Sequence, residues 1–127
     1  MHEVIGVGTD LCDVSRIEKA MQSEHFMARV FTDGERAYIA AQGKGAPRSA
    51  SAMFAAKEAV AKALGTGFSG GVMPDQIEVT HAPSGAPQAA LHGAALRRLE
   101  EMGGERVMIS LTHEREMAAA FAVAVAR

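Results

Sequence analysis

The chain has 127 residues, of which 48% are hydrophobic and 22% are charged, and its formal net charge is −2. This size and composition predict one globular domain over residues 1–127. The slight acidic excess argues against nucleic acid as a partner, because nucleic-acid-binding domains carry a basic excess or patch. There is no signal-peptide pattern and no apolar run of the ~18 residues that a membrane span needs. We therefore expect a cytoplasmic protein, and its one cysteine, Cys12, excludes an intrachain disulfide.

The first half of the chain is predicted to hold one strand and three helices. Apolar residues indicate a strand over residues 4–11, followed by a helix over 13–21. Thr32 or Asp33 is a candidate cap for a helix that runs to about residue 41. A loop over 43–49 then leads into an alanine-rich helix from about residue 49 to 64.

The second half is predicted to be rich in strands. A glycine-rich loop covers residues 65–71, and two short strands over 77–81 and 88–91 flank a proline-glycine turn. A helix over 92–102 and two further strands, 107–112 and 117–125, complete the chain. We expect an α+β fold in which helices pack on one antiparallel sheet.

The alanine-rich helix carries the most informative charges. Glu58 and Lys62 are four residues apart and therefore share a face with small apolar neighbours. An unpaired charge is costly to bury, so these two side chains lie at the edge of the buried stripe or in a site. The alternative is an i,i+4 salt bridge on a solvated face. Gly65, just past the last turn, is a candidate helix cap.

Two apolar strands end in residues able to bind a metal or a phosphate. The first carries Asp10 near its end, and the strand that begins at Val107 ends at His113. Taken alone, Asp10 is equally consistent with a helix-capping or turn aspartate. Likewise, His113 alone is consistent with a turn histidine bonded to the backbone.

Three blocks in this order resemble the holo-acyl-carrier-protein synthase family, the small 4′-phosphopantetheinyl transferases. They are Gly8-Thr-Asp-Leu11 with Arg16-Ile17, the run from Phe54 to Gly67, and Ile109-Ser-Leu-Thr-His113. The middle block is highly specific, and together they span nearly the whole chain. The resemblance implies a 4′-phosphopantetheinyl transferase-like fold and transfer of phosphopantetheine from coenzyme A to a serine of apo-acyl-carrier protein, with release of adenosine 3′,5′-bisphosphate.

The resemblance also implies catalytic roles. Asp10 and Glu58 correspond to the family's magnesium-binding carboxylates, and Mg²⁺ accepts such a small set of hard oxygen ligands. Lys62 is assigned to stabilise the transition-state charge, with His113 assisting. Three candidates are open for the base that takes the serine proton: Glu58, a metal-bound water and Glu35.

A further set of residues is implied to bind coenzyme A. In the family an arginine precedes the middle block and meets the 3′-phosphate, whereas this chain has Met53 there. Arg48 or Lys44 is the expected substitute. The residues assigned to coenzyme A are Arg48, Lys62, Gly65, Thr66, Gly67, Gly85, Pro87 and His113.

Carrier protein and assembly are the remaining expectations. Basic Arg16 and Lys19 on the first helix are expected to meet the acidic carrier, and the family forms trimers with shared sites. One division would take Asp10 and His113 from one subunit and Glu58 and Lys62 from its neighbour, or a similar split. The alternatives to the transferase are a magnesium-dependent diphosphate hydrolase and a non-catalytic oligomeric module that binds coenzyme A.

Overall fold

The computed structural model describes residues 2–127 and confirms the α+β class. Within that range one strand is followed by four α-helices, then two strands, one α-helix and two final strands. The elements are β1 (Glu3–Asp13), α1 (Val14–Ala20), α2 (Glu24–Val30), α3 (Asp33–Ala40), α4 (Ala46–Ala63), β2 (Ile77–His81), β3 (Pro87–Leu91), α5 (Gly93–Glu101), β4 (Gly104–Glu114) and β5 (Met117–Ala126). In this part of the chain no helix is long and apolar enough to cross a membrane.

The described strands form two antiparallel sheets, where the sequence predicted one. The larger sheet has the order β1-β5-β4, so the last strand lies in its centre. The smaller sheet is the β2–β3 hairpin, whose strands pair from Ile77 opposite Leu91 to His81 opposite Pro87. The hairpin therefore projects as a separate wall beside the larger sheet.

Very small residues bring α4 close to the larger sheet. A Cβ added to Gly8 would lie 1.9 Å from the carbonyl oxygen of Ala59, and one added to Gly6 would lie 2.1 Å from that of Ala63. The face of β5 that packs beneath the helix is buried and consists of Ala118, Ala120, Ala122 and Ala124. Because no large side chain intervenes, the end of α4 lies directly against β1, where Asp10 is placed.

Several predicted helix ends are confirmed. Asp13 accepts a hydrogen bond from the Ser15 backbone at the start of α1. Thr32 and Glu35 form a reciprocal capping box on α3. Gly65 follows α4 with a φ of +79°, in the left-handed region that glycine tolerates.

Two helical segments differ from the prediction. Helix α4 begins at Ala46, because Pro47 occupies its first turn, where a missing N–H leaves no hydrogen bond unmade. The predicted loop was therefore too long. Helix α2 was not predicted, although Ser23 caps it by accepting a hydrogen bond from the backbone N–H of Phe26.

The outer face of the larger sheet is open and apolar. Val7 and Leu11 on β1 are 58% and 66% exposed, and Phe121 on the central strand is 51% exposed. Met108 and Met117 extend the same face. Strand β5 is thus buried by α4 on one side only, and its other side is an apolar surface without a covering layer in one chain.

Candidate active site

Asp10, Glu58 and Lys62 form the first cluster. The Lys62 Nζ lies 3.3 Å from the Asp10 Oδ1 and donates a hydrogen bond of 2.9 Å to the backbone oxygen of Thr9. Among the salt bridges of residues 2–127, none joins Glu58 to Lys62, so the i,i+4 alternative is wrong. Lys62 instead reaches across from α4 to β1, and its side chain remains half exposed.

The electrostatics of this cluster suit a divalent cation. Burial raises the pKa of Glu58, and the negative charge of Asp10 raises it further, while Lys62 and Arg16 act in the opposite direction. A cation between the two carboxylates would offset the repulsion that disfavours the ionised form of Glu58. The described residues contain no group of three metal-binding side chains. A two-carboxylate donor set fits Mg²⁺, which commonly takes one or two protein carboxylates together with substrate phosphates.

A separate cavity of about 460 Å³ opens between the start of α4, the β2–β3 hairpin and the end of β4. Among the described residues that line it there is no carboxylate, while Arg48, His81 and His113 all border it. The other lining residues are Tyr38, Gly45, Ser49, Ala52, Met53, Gly85, Pro87 and Leu111. A concave site with basic groups and no acid favours an anionic ligand.

The lining of the cavity distinguishes between Arg48 and Lys44, the two candidates to replace the missing arginine. Met53 is buried and forms part of the cavity wall, and Arg48 borders the same space with an exposed side chain. Lys44 is exposed but is not among the residues that line the cavity. Arg48 is therefore the better placed of the two basic residues.

An aromatic pair in the cavity wall was not predicted from the sequence. The rings of Tyr38 on α3 and His81 at the end of β2 stack with centroids 4.1 Å apart and planes 6° apart. Burial lowers the pKa of His81, so the neutral ring is favoured there. The only sequence signal was a histidine at a strand end before the proline turn, and nothing in it pointed to Tyr38.

The two groups of site residues lie apart within one chain. Strand β5 separates Asp10 on β1 from His113 on β4. Asp10 pairs with Ala120 and His113 with Ala118, so two strand spacings and a two-residue offset put their backbones about 12 Å apart. On α4, Arg48 lies in the first turn and Lys62 in the last, 14 residues and about 21 Å apart along the helix axis. The helix thus presents the cavity toward its start and the acidic cluster toward its end.

This arrangement corrects the division of site residues considered above. Asp10 lies with Lys62 and Glu58 in the same chain, so it cannot come from a different subunit than those two. The turn formed by Gly65, Thr66 and Gly67 begins three residues after Lys62, and none of the three is among the residues lining the cavity. Arg48, Gly85, Pro87 and His113 border the cavity together.

The structure removes Glu35 from the candidates for the base. Its side chain is fully buried, and the Lys57 Nζ lies 2.8 Å from its Oε1. Its Oε2 accepts a hydrogen bond of 2.7 Å from the backbone N–H of Val79. Neither oxygen is available to a substrate. Burial lowers the pKa of Lys57, and the adjacent Glu35 opposes that effect.

A family model for the 4′-phosphopantetheinyl transferase superfamily matches residues 6–125, and the chain belongs to that superfamily. Within it, a holo-[acyl-carrier-protein] synthase of Methylobacterium sp. (strain 4-46) is 46% identical over 126 residues, covering 94% of this chain and 93% of that protein. The family resemblance of the three sequence blocks is thereby confirmed.

Solved structures of enzymes with the same name share the fold. The Neisseria meningitidis enzyme superimposes with a TM-score of 0.85 at 36% identity and covers 96% of this chain and 98% of its own. The Bacillus anthracis enzyme, in complex with CoA (3′,5′-ADP), has a TM-score of 0.82 at 30% identity and covers 98% of both chains.

Proposed function

We propose that this protein transfers the 4′-phosphopantetheine group of coenzyme A to a serine of apo-acyl-carrier protein and releases adenosine 3′,5′-bisphosphate, with Mg²⁺ as cofactor. The observation that carries the proposal is the gathering of Asp10, Glu58 and Lys62, from two separate motifs, into one cluster. The anion-favouring cavity supports coenzyme A as the donor, and a relative from Bacillus anthracis has been solved with that ligand.

The reaction needs charge neutralisation and alignment more than covalent participation by the protein. The serine oxygen forms a bond to the β-phosphorus of coenzyme A, and the bond from that phosphorus to the bridging oxygen breaks. Asp10 and Glu58 would hold the Mg²⁺, which when bound neutralises diphosphate charge. The Lys62 ammonium stabilises the equatorial oxygens, with His113 assisting. Because Glu35 is buried, the serine proton passes to Glu58, which remains partly exposed, or to water.

The nucleotide end of coenzyme A is assigned to the cavity. Gly85 and Pro87 form the wall on the adenine side, and Arg48 meets the 3′-phosphate in place of the arginine that Met53 replaces. Arg48 is suited to this because a guanidinium can bind a phosphate in bidentate fashion. The turn from Gly65 to Gly67 follows Lys62 and would approach the diphosphate and the pantetheine arm.

A complete site then requires two subunits, and we infer a homotrimer. One subunit supplies Asp10, Glu58, Lys62 and the Gly65–Gly67 turn. Its neighbour supplies Arg48, His113 and the hairpin wall. Two observations support this division: the two halves lie toward opposite ends of α4 in one chain, and the outer face of the larger sheet exposes Val7, Leu11 and Phe121. Such an apolar face is typical of a surface covered by another copy.

The carrier protein is assigned to helix α1. Arg16 and Lys19 are both exposed there, and the charge of Arg16 acts on Glu58, so the helix borders the acidic cluster. The two exposed basic side chains beside the cluster, with exposed Glu18 between them in sequence, would contact an acidic carrier and steer its approach. The carrier serine would then arrive next to the β-phosphate.

One incubation tests this function. The protein is mixed with coenzyme A, Mg²⁺ and a panel of apo-carrier proteins, and the carriers are weighed by intact mass spectrometry. We expect one carrier to gain a single phosphopantetheine group, and Asp10→Ala and Glu58→Ala to abolish the gain while leaving the fold intact. Full activity of either variant in ordinary magnesium would contradict the metal assignment.

Two further measurements distinguish the transferase from the two alternative functions. Release of adenosine 3′,5′-bisphosphate without any carrier would indicate a diphosphate hydrolase. Binding of coenzyme A by calorimetry without turnover on any carrier would indicate a non-catalytic module.

A further inference from the structure

Lys57 and Glu35 form a fully buried ion pair that the reaction does not use. Their charged atoms lie 2.8 Å apart, and both side chains are 0% exposed. Burying two charges carries a desolvation penalty that often cancels their attraction, so such a pair is weak evidence for stability on its own. Lys57 is also adjacent in sequence to Glu58, yet it points into the core while Glu58 remains partly exposed.

Every polar atom of the pair is used, and most of the contacts go to one segment. Besides Glu35, the Lys57 Nζ donates to the backbone oxygens of Pro74 and Ile77, at 2.9 and 2.6 Å. The Glu35 Oε2 accepts from the backbone N–H of Val79 at 2.7 Å. The pair therefore fastens the start of the β2–β3 hairpin to helices α3 and α4.

The fastened hairpin is one wall of the nucleotide cavity. It carries His81, Gly85 and Pro87, while Tyr38 on α3 and Arg48 on α4 stand on the opposite side. The Tyr38–His81 ring stack and a 2.8 Å hydrogen bond from the Thr32 hydroxyl to Glu78 also join the hairpin to α3. The ion pair is the fully buried polar connection between them, and it alone also includes α4. The hairpin shares no backbone hydrogen-bond ladder with the larger sheet in residues 2–127.

We propose that Lys57 and Glu35 are positioning residues for coenzyme A: they hold the hairpin at the spacing from α4 that the nucleotide requires. This inference rests on the proposed function. It adds that the family motif at 54–67 serves two purposes on one helix, with Glu58 and Lys62 directed at the reacting phosphates and Lys57 directed at the wall that grips the nucleotide.

The prediction is a loss of ligand affinity that exceeds the loss of turnover. Lys57→Met keeps an unbranched side chain, one atom shorter, but removes the three donors, and Glu35→Gln keeps the shape but removes the charge. For both variants we expect the affinity for adenosine 3′,5′-bisphosphate, measured by calorimetry, to fall about ten-fold, equivalent to about 1.4 kcal/mol. In the transfer assay, the larger part of the loss in kcat/KM should appear as a raised KM for coenzyme A.

A matched control separates positioning from general destabilisation. Leu99 on α5 is buried but does not line the cavity, and Leu99→Ala should lower the melting temperature as a core truncation does. It should leave the affinity for adenosine 3′,5′-bisphosphate unchanged. If Lys57→Met and Glu35→Gln lower the melting temperature but bind the nucleotide as tightly as Leu99→Ala does, the pair is merely structural and the inference is wrong.

The wild-type protein provides a second test that needs no variant to fold. Saturating adenosine 3′,5′-bisphosphate should slow amide hydrogen exchange in Ile77–His81, because ligand and ion pair would hold the same wall. Unchanged exchange there, with nucleotide demonstrably bound, would overturn the inference. A wild-type protein that binds neither coenzyme A nor its nucleotide would instead overturn the proposed function.

Discussion

A mixture of two variants, each damaged in a different half of the site, tests the shared site most sharply. Glu58→Ala damages the side of a subunit that carries the acidic cluster, and His113→Ala damages the side that borders the cavity. In a ring of three subunits, each site would join the acidic cluster of one subunit to the cavity of its neighbour. A site is therefore intact when a His113→Ala subunit supplies the acidic cluster and a Glu58→Ala subunit supplies the cavity.

The expected recovery follows from this geometry. With equal amounts and random exchange, each of the two conditions is met half of the time, so about 25% of the sites are intact in a closed symmetric ring. The assay is carrier modification by intact mass after the two variants are refolded together, with light scattering to verify a trimer.

Asp10→Ala mixed with Glu58→Ala is the control. These two residues lie in the same cluster of one chain, so every mixed site keeps at least one lesion and no recovery is expected. Equal recovery in the two mixtures, or none in the first despite verified exchange, would refute the shared site. A monomer mass at micromolar concentration with full activity would refute the trimer itself.

Three single substitutions test other parts of the structure. Arg48→Ala should weaken coenzyme A more than dephospho-coenzyme A in calorimetry, and equal weakening of both would exclude contact with the 3′-phosphate. Gly8→Ala should lower the free energy of unfolding by about 1–3 kcal/mol in urea denaturation, because its Cβ would overlap the backbone of α4. Gly45→Ala, where the nearest atom would be 3.9 Å away, is the control and should stay close to wild type. Burial lowers the pKa of His81, so the imidazole takes up its proton at a higher pH in the unfolded chain than in the folded one. The free energy of unfolding should therefore fall as the pH drops through about 6.5. In thermal melts at a series of pH values, His81→Gln should lose stability less steeply with falling pH than the wild type. An unchanged pH dependence would contradict the role assigned to His81.

Local signals in the sequence were sufficient for most elements. Alternating apolar residues, caps such as Thr32 and the glycine at 65 depend on neighbours a few positions away, and the structure has these elements close to where they were expected. Helix α2 was missed because it is short and its cap, Ser23, lacks the glutamate three residues later that completes a capping box. Pro47 was also placed inside the predicted loop over 43–49, although it lies in the first turn of α4.

Contacts between distant segments were not predictable in the same way. The motif identified Glu58 and Lys62 as site candidates. No residue near Lys57 indicated that it pairs with Glu35, 22 residues earlier in the chain. The stack of Tyr38 on His81 joins two elements whose relative placement depends on the whole fold. The sequence also placed Asp10 and His113 at two strand ends without revealing that the central strand separates them.

The contact between α4 and the sheet limits how this enzyme can change. Backbone meets backbone where Gly6 and Gly8 face the helix, and the surrounding surface is already made of the smallest side chains. Substitutions there can only add volume, so we expect mutational scanning to find this contact nearly intolerant. Changes in donor preference should instead accumulate in the cavity walls, at residues 38–53 and 81–87, where side chains reach open space. The chemistry and the choice of donor can therefore vary independently in laboratory evolution.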